Sequence, residues 1–64
     1  MEEDWLSTAA AATLARVHQR TVERWVTEGR LRAKVEWRGN RAVYWIRRSD
    51  LVAYVRAWLR EEWR

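Results

Sequence analysis

The sequence predicts a small α+β domain in which a two-stranded β-hairpin lies between the second and third of three helices. The chain has only 64 residues, with 2 Gly and 0 Pro to interrupt its elements. Apolar residues recur with a helical period before Leu31 and alternate with charged residues after it. A chain of this length cannot divide into two cores. Residues 1–64 are therefore expected to form one domain.

The first helix is predicted over residues 7–15. Strong helix formers follow Ser7, whose hydroxyl can cap the first amides. The expected apolar stripe consists of Leu6, Ala10, Ala11 and Leu14. Because alanine places only a methyl group between two backbones, a second helix is expected to pack closely on this one.

The second helix is predicted over residues 19–28, with Gly29 as the left-handed residue that ends it. Its apolar side carries Val22 and Trp25, and its other side is polar. Only three residues separate it from the first helix. So short a connection makes the two helices cross steeply, which is the helix-turn-helix arrangement.

The hairpin is predicted over residues 33–47, with its turn at Gly39 and Asn40. If Ile46 points inward, alternation turns Trp45 outward. The third helix is predicted over residues 50–63, after a cap at Ser49. Its apolar stripe is expected to contain Leu51, Tyr54, Val55, Trp58 and Leu59.

The expected core draws on all of these elements. Its members are Leu14, Val22, Trp25, Leu31, Ile46, Leu51, Val55 and Trp58. Trp37 is a further core candidate. The 6 Trp exceed what one small core can hide, so Trp45 and Trp63 are expected to face outward as a protein interface. Equally, the terminal tryptophans can fold back over one another and enlarge the core.

Positive charge is concentrated in the middle of the chain. The formal net charge is +4, but residues 16–48 hold ten basic and three acidic residues, a net of +7. Arginine supplies all but one of the 13 basic residues, and its planar fork of donors grips phosphate or a guanine edge. Nucleic acid is therefore the first partner to consider. A genome-wide preference for Arg codons explains the choice of Arg over Lys but not this distribution.

Several function classes are excluded by composition. With 0 Cys there is no disulfide framework and no thiolate zinc site, and the single His makes no metal site. No apolar run approaches the ~20 residues that span a bilayer. There is no nucleophile with a base and no glycine-rich phosphate loop. We therefore expect a cytoplasmic non-enzyme with no cofactor, metal, membrane association or small-molecule substrate.

Two segments carry a resemblance to a known family: residues 21–31, TVERWVTEGRL, and residues 47–51, RRSDL. With them, the stretch from about residue 5 to residue 60 resembles the excisionase-type winged helix-turn-helix domains of the MerR superfamily. These include phage and integrative-element excisionases, also called recombination directionality factors, and small one-domain transcription regulators. The resemblance implies a winged helix-turn-helix fold that binds double-stranded DNA.

The chain departs from the family pattern at three positions. Such domains usually have Gly where this chain has Arg16, Ser or Thr where it has His18, and often Pro where it has Arg32. Arg16 is therefore expected to adopt the left-handed conformation at a cost of about 1 kcal/mol or more. His18 is expected to cap the second helix poorly.

Recognition residues are expected on the polar side of the second helix. They are Gln19, Arg20, Thr21, Glu23 and Arg24. Arg20 and Arg24 lie four residues apart, opposite Trp25, in the part of such helices that enters the major groove. In the excisionases that this chain resembles, the positions matching these two arginines touch base edges, and the position matching Thr21 touches phosphate. Alternatively, Arg24 pairs with Glu28 at the surface.

The resemblance makes the hairpin tip a wing that contacts phosphate or the adjacent minor groove. Its expected DNA contacts are Arg38, Asn40 and Arg41, and Arg47 and Arg48 are expected beside the sugar-phosphate backbone. A solvated turn is the alternative.

The function predicted from the sequence is sequence-specific DNA binding and bending by an excisionase that controls integrase-mediated excision. Its expected partners are double-stranded DNA, a site-specific integrase and further copies of itself arranged head to tail on DNA. A small transcription regulator and a Trp-rich protein-interaction module are the alternatives.

Overall fold

In the described part of the chain, a three-stranded antiparallel sheet packs through Ile46 against a core that it shares with three helices. The structure is a computed structural model that describes the backbone of residues 4–62 and the side chains of residues 4–60. The elements in chain order are β1 (Trp5–Ser7), α1 (Thr8–Ala15), α2 (Gln19–Thr27), β2 (Lys34–Arg38), β3 (Arg41–Arg47) and α3 (Arg48–Glu62). This is the α+β winged helix-turn-helix class that the sequence predicts, with one strand more than expected.

The added strand is β1, which pairs with β3 on the side opposite β2, so that the strand order is β1-β3-β2. Its register sets Trp5 against Arg47 and Ser7 against Trp45. Ser7 also caps α1, because its Oγ accepts a hydrogen bond from the Ala10 amide at 3.1 Å. The two-stranded hairpin between α2 and α3 is confirmed, and β1 is an additional strand that the sequence did not predict.

The hairpin turns at Gly39 and Asn40, between the paired residues Arg38 and Arg41. Gly39 has a φ of +65°, whereas Asn40 has a negative φ. Positive φ at the first turn residue alone is the pattern of a type II′ turn, in which glycine takes that position. The turn thus forms where the sequence predicts it.

The core contains two alanines of α1, Ala11 and Ala12, together with larger residues of the other elements. These larger residues are Val22, Trp25, Leu31, Ile46 and Leu51, each at most 4% exposed. Val55 is half-buried against this cluster. Trp58 is also half-buried, and its ring centroid lies 6.0 Å from that of Trp25. Tyr54 contacts the same Trp25 ring at 4.8 Å.

Two residues expected in the core are instead exposed. Leu14 is 45% exposed, because α1 turns Ala11, Ala12 and Ala15 inward and Leu14 lies away from that stripe. Trp37 is 68% exposed. It lies on strand β2, which extends beyond the cover of the helices and has no buried residue.

Smaller differences concern the helix ends. Leu6 lies in β1 and not on the α1 stripe, and Leu59 of α3 is 45% exposed. α3 begins at Arg48, directly after β3, so Ser49 is in its first turn and does not precede it. Trp63, expected to face outward, lies outside the described residues.

Candidate nucleic-acid interface

The connection between α1 and α2 depends on Arg16, which has φ +59° and ψ +45°. The Val17 amide donates to the Ala12 carbonyl at 3.0 Å, and the Arg16 amide donates to the Thr13 carbonyl at 3.3 Å. This pair of bonds is the Schellman motif that usually requires glycine at the left-handed position. The left-handed Arg16 expected from the sequence is present. It allows α2 to leave α1 after three residues.

The N-terminus of α2 is oriented by a side chain of α1. Gln19 Nε2 donates to Thr8 Oγ1 at 3.1 Å, joining the first residues of the two helices. His18 precedes α2 as its N-cap residue and makes no side-chain capping bond, as expected. Thr8 was missed by sequence reasoning, since nothing in the pattern marks it as a partner of Gln19.

Five residues at the beginning of α2 line one open groove on the surface: His18, Gln19, Arg20, Thr21 and Arg24. Four of these are expected recognition residues. Arg20 and Arg24 are exposed, whereas Thr21 and Glu23 are half-buried. Unpaired amides at a helix N-terminus favour anions, so the helix adds to the attraction for phosphate at this groove.

The two groove arginines are available for a ligand. Among the side chains of residues 4–60, neither Arg20 nor Arg24 forms an ion pair. The alternative pair of Arg24 with Glu28 is not formed, because Glu28 Oε1 lies 3.7 Å from Arg30 Nη1 instead. α2 therefore presents two guanidinium groups, one helical turn apart, that no carboxylate of residues 4–60 neutralises.

The wing differs from its sequence-based description, because one of its two arginines is engaged. Glu36 Oε1 accepts a hydrogen bond from Arg38 Nε at 3.2 Å, and Arg38 Nη2 lies 3.2 Å from the same oxygen. Arg41, across the turn, forms no ion pair with any side chain in the described part of the chain. Asn40 is exposed. The accessible positive charge of the wing tip is therefore centred on Arg41.

Glu36 is held by a second donor, the indole Nε1 of Trp45, at 3.3 Å. These hydrogen bonds, Trp45's foremost and Arg38's next, lower the pKa of the Glu36 carboxyl. The carboxylate thus stays ionised and keeps Arg38 on the same side of the sheet as Trp45. Trp45 lies on the face away from the helices, as alternation predicts, and is half-buried there.

Arg47 and Arg48 are held near the N-terminal strand. The Arg47 guanidinium carbon lies 5.1 Å from the centroid of the Trp5 ring, close enough for a cation–π interaction. Arg48 Nη1 lies 3.8 Å from Asp4 Oδ2, and the Arg48 amide donates to the Asp4 carbonyl at 2.9 Å. Both are therefore at the end of β3 opposite the wing tip, and neither lines the groove of α2.

A second cationic groove was not foreseen from the sequence. Trp5, Arg32, Lys34 and Arg47 line it with Ala33 and Asp50, and Lys34 Nζ lies 6.0 Å from the Trp5 ring centroid. The register of β1 against β3 brings these groups together, and β1 itself was not predicted.

The residues described here offer no assembled metal site. Within residues 4–62, no group of three or more His, Asp or Glu side chains is placed to hold an ion. No helix in that range is long and apolar enough to cross a membrane.

Comparison with known proteins identifies the fold family. A family model described as a helix-turn-helix domain matches residues 5–60, which is nearly the whole chain. No curated protein and no solved structure matches the sequence. The matched range contains α1, α2, the hairpin and most of α3. The chain therefore belongs to the helix-turn-helix domain family, a family of DNA-binding domains.

Proposed function

We propose that this protein is a sequence-specific DNA-binding and DNA-bending accessory protein, an excisionase of the MerR superfamily type that controls integrase-mediated excision. The observation that supports DNA binding is the pair of exposed arginines on α2, which no carboxylate of the described residues neutralises. Arg20 and Arg24 would read base edges in the major groove, where arginine forms bidentate contacts to guanine. Such a protein binds and shapes DNA in the cytoplasm or nucleoid and performs no catalysis.

The other groove residues have supporting roles in this proposal. Thr21 contacts phosphate, and Glu23 accepts from a cytosine amino group. Gln19 is already bonded to Thr8, so it fixes the angle between the two helices or exchanges that bond for one to DNA. Of the flanking residues, Arg41 and Asn40 contact the backbone directly. Arg38, Arg47 and Arg48 have partners within the chain and add to the long-range field.

Assembly on DNA is the part of the proposal that separates an excisionase from a simple DNA-binding module. A single domain of this size buries ~600 to 1,000 Å² on DNA and rarely combines tight with specific binding. α3 is 15 residues long, too short for the several heptads of a symmetric zipper. We propose that copies bind tandem sites head to tail, with the wing surface of one copy against the terminal surface of the next, and that the assembly recruits an integrase. The terminal surface is acidic in sequence, since it contains Glu2, Glu3, Asp4, Glu61 and Glu62.

A binding and sedimentation series tests this function. The protein is expected to be a monomer in free solution. On duplexes with one, two and three tandem sites, obtained by in vitro selection, it is expected to bind with rising affinity per site and increasing bend. Equal affinity per site, or a stable dimer without DNA, would indicate a small transcription regulator. Failure to bind any selected duplex would leave a Trp-rich protein-interaction module as the better description.

A further inference from the structure

Trp37 is the most exposed of the large apolar residues in the described structure, at 68%. Its cross-strand partner is Ala42, which is too small to cover an indole ring. Among residues 4–60, its ring makes no contact with another aromatic ring and no cation–π contact. Burial of this indole against a partner would remove a large apolar surface from water, which is favourable. The position is therefore a candidate contact.

The strand register decides which side of the sheet Trp37 occupies. Trp37 alternates with Val35 on β2, and these residues pair with Ala42 and Tyr44. That face continues to Ile46, which is fully buried against the helices. Trp37 therefore lies on the helix-bearing side of the sheet, together with α2. Trp45 lies on the opposite side, bonded to Glu36.

The neighbours of Trp37 indicate the chemistry of its partner. Arg38 follows it directly, and Arg41 is the cross-strand neighbour of Arg38. Both arginines lie on the Trp45 face of the hairpin, opposite Trp37, but the turn has only two residues, so that the wing tip carries an exposed ring on one face and positive charge on the other. A polyanion with a narrow groove and stacked planar groups matches this combination of charge, shape and apolar surface. The minor groove of B-DNA, about 6 Å wide, has these properties.

We infer that Trp37 is an apolar wedge that enters the minor groove and partly unstacks a base step, and that this insertion bends the DNA. Proteins that kink duplexes use apolar side chains in this way and recover the unstacking cost through the additional contacts that the bend permits. The inference rests on the proposed DNA-binding function. It assigns DNA bending to one residue, Trp37. The sequence-based prediction instead places Trp37 in the core.

The test uses 2-aminopurine, whose fluorescence rises when the base is unstacked, placed at successive positions of a selected single-site duplex. Wild-type protein is expected to raise the fluorescence at one step beside the wing. Trp37→Ala is expected to abolish this rise, reduce the bend measured by energy transfer between the duplex ends, and lower affinity roughly fivefold or more. Trp37→Leu is expected to retain part of the fluorescence rise, of the bend and of the affinity, since leucine is also used as a wedge.

Trp45→Phe is the matched control, because it changes a tryptophan on the opposite face of the same hairpin, and it is expected to leave the fluorescence rise and the bend unchanged. Thermal unfolding of each variant checks that the fold is retained. If Trp37→Ala binds and bends DNA like the wild type, the inference is wrong although the DNA-binding function stands. Loss of cooperativity on tandem sites with normal single-site bending would place Trp37 against a second copy, which also overturns it. No binding by the wild type refutes the proposed function itself.

Discussion

Arg16 and Gly29 end their helices with the same backbone geometry. Both have positive φ, +59° and +75°, and each is followed by an amide that donates to a carbonyl five residues back. For Arg16 that bond is from Val17 to Ala12, and for Gly29 it is from Arg30 to Trp25. One helix therefore ends on the residue suited to this conformation, and the other ends on an arginine that adopts it under strain.

The first prediction follows from this pair. Arg16→Gly is expected to stabilise the protein by about 0.5–1 kcal/mol, because relief of ~1–2 kcal/mol of left-handed strain exceeds the added freedom of the unfolded chain. Urea or thermal unfolding measures the change in the free energy of unfolding. Gly29→Ala is the converse control. A Cβ at Gly29 meets no atom within 4 Å, so the expected decrease of about 1 kcal/mol comes from backbone strain alone. A decrease of stability in Arg16→Gly would contradict this interpretation.

The second prediction concerns Trp25, which is 3% exposed and contacts the rings of both Tyr54 and Trp58. Trp25→Ala is expected to remove ~3–5 kcal/mol, comparable with the whole stability of a small domain, so that the protein unfolds at 25 °C. Far-UV circular dichroism and amide dispersion in NMR report the outcome. Trp37→Ala is the control, because its side chain lies in solvent and its removal should leave the fold intact.

The third prediction tests base recognition by α2. Arg20→Ala or Arg24→Ala is expected to weaken binding to the selected duplex by ~1–3 kcal/mol and to relax discrimination at one base pair. Both side chains are exposed and form no ion pair among the described residues, so neither change should alter stability. Competition titrations with selected and random DNA measure specificity. Equal losses of affinity on both DNAs would mean that these arginines contact only phosphate.

The fourth prediction concerns the unequal arginines of the wing. Arg38→Ala with Arg41→Ala is expected to lower affinity on all sequences and to reduce the slope of log K against log salt by about 0.9 for each phosphate that the wing no longer neutralises. Of the two substitutions, Arg41→Ala is expected to cause the larger loss of affinity and of salt slope, because Glu36 already neutralises Arg38. Glu36→Gln should therefore raise affinity without changing sequence preference. An unchanged salt slope in the double variant would remove the wing from the interface.

The fifth prediction is a pH dependence at Glu36, whose pKa is lowered chiefly by the Trp45 hydrogen bond and then by that of Arg38. A carboxyl group whose pKa is lower in the folded protein than in the unfolded chain stabilises the fold at any pH above its unfolded pKa. That stabilisation is lost as the pH falls through the folded pKa. The Trp45 indole N–H resonance should therefore shift with an inflection below the ordinary glutamate value of about 4.3. The inflection should be absent in Glu36→Gln.

The sequence predicted the elements that depend on local patterns. α2, its glycine end and the Gly39 turn follow from periodicity and from the few residues that adopt positive φ easily. β1 was not predictable in this way, because three residues are too few to show alternation and Ser7 also reads as a helix cap. Its pairing depends on an edge of β3 that exists only in the folded chain.

The same limit applies to the candidate interface. The exposure of Arg20 and Arg24 follows from helical spacing, but the bond between Gln19 and Thr8 depends on the angle at which α1 and α2 meet. Alternation correctly separates Trp37 from Trp45, since they lie on opposite faces of the sheet. It does not reveal where the helices stop covering that sheet, and Trp37 lies beyond this point.

The β1–β3 pair has a kinetic consequence. The α1–α2 unit and the β2–β3 hairpin each join neighbours in sequence, whereas α1, α2 and β2 all lie between β1 and its partner β3. Closing that long loop costs more chain entropy, so β1 is expected to dock last during folding and to detach first in the native state. Detachment frees the edge of β3 and releases Arg47 and Arg48 from Trp5 and Asp4. Faster hydrogen exchange of the β1 amides than of the β2–β3 ladder would record this opening, in which one short segment unmasks two arginines without unfolding of the domain.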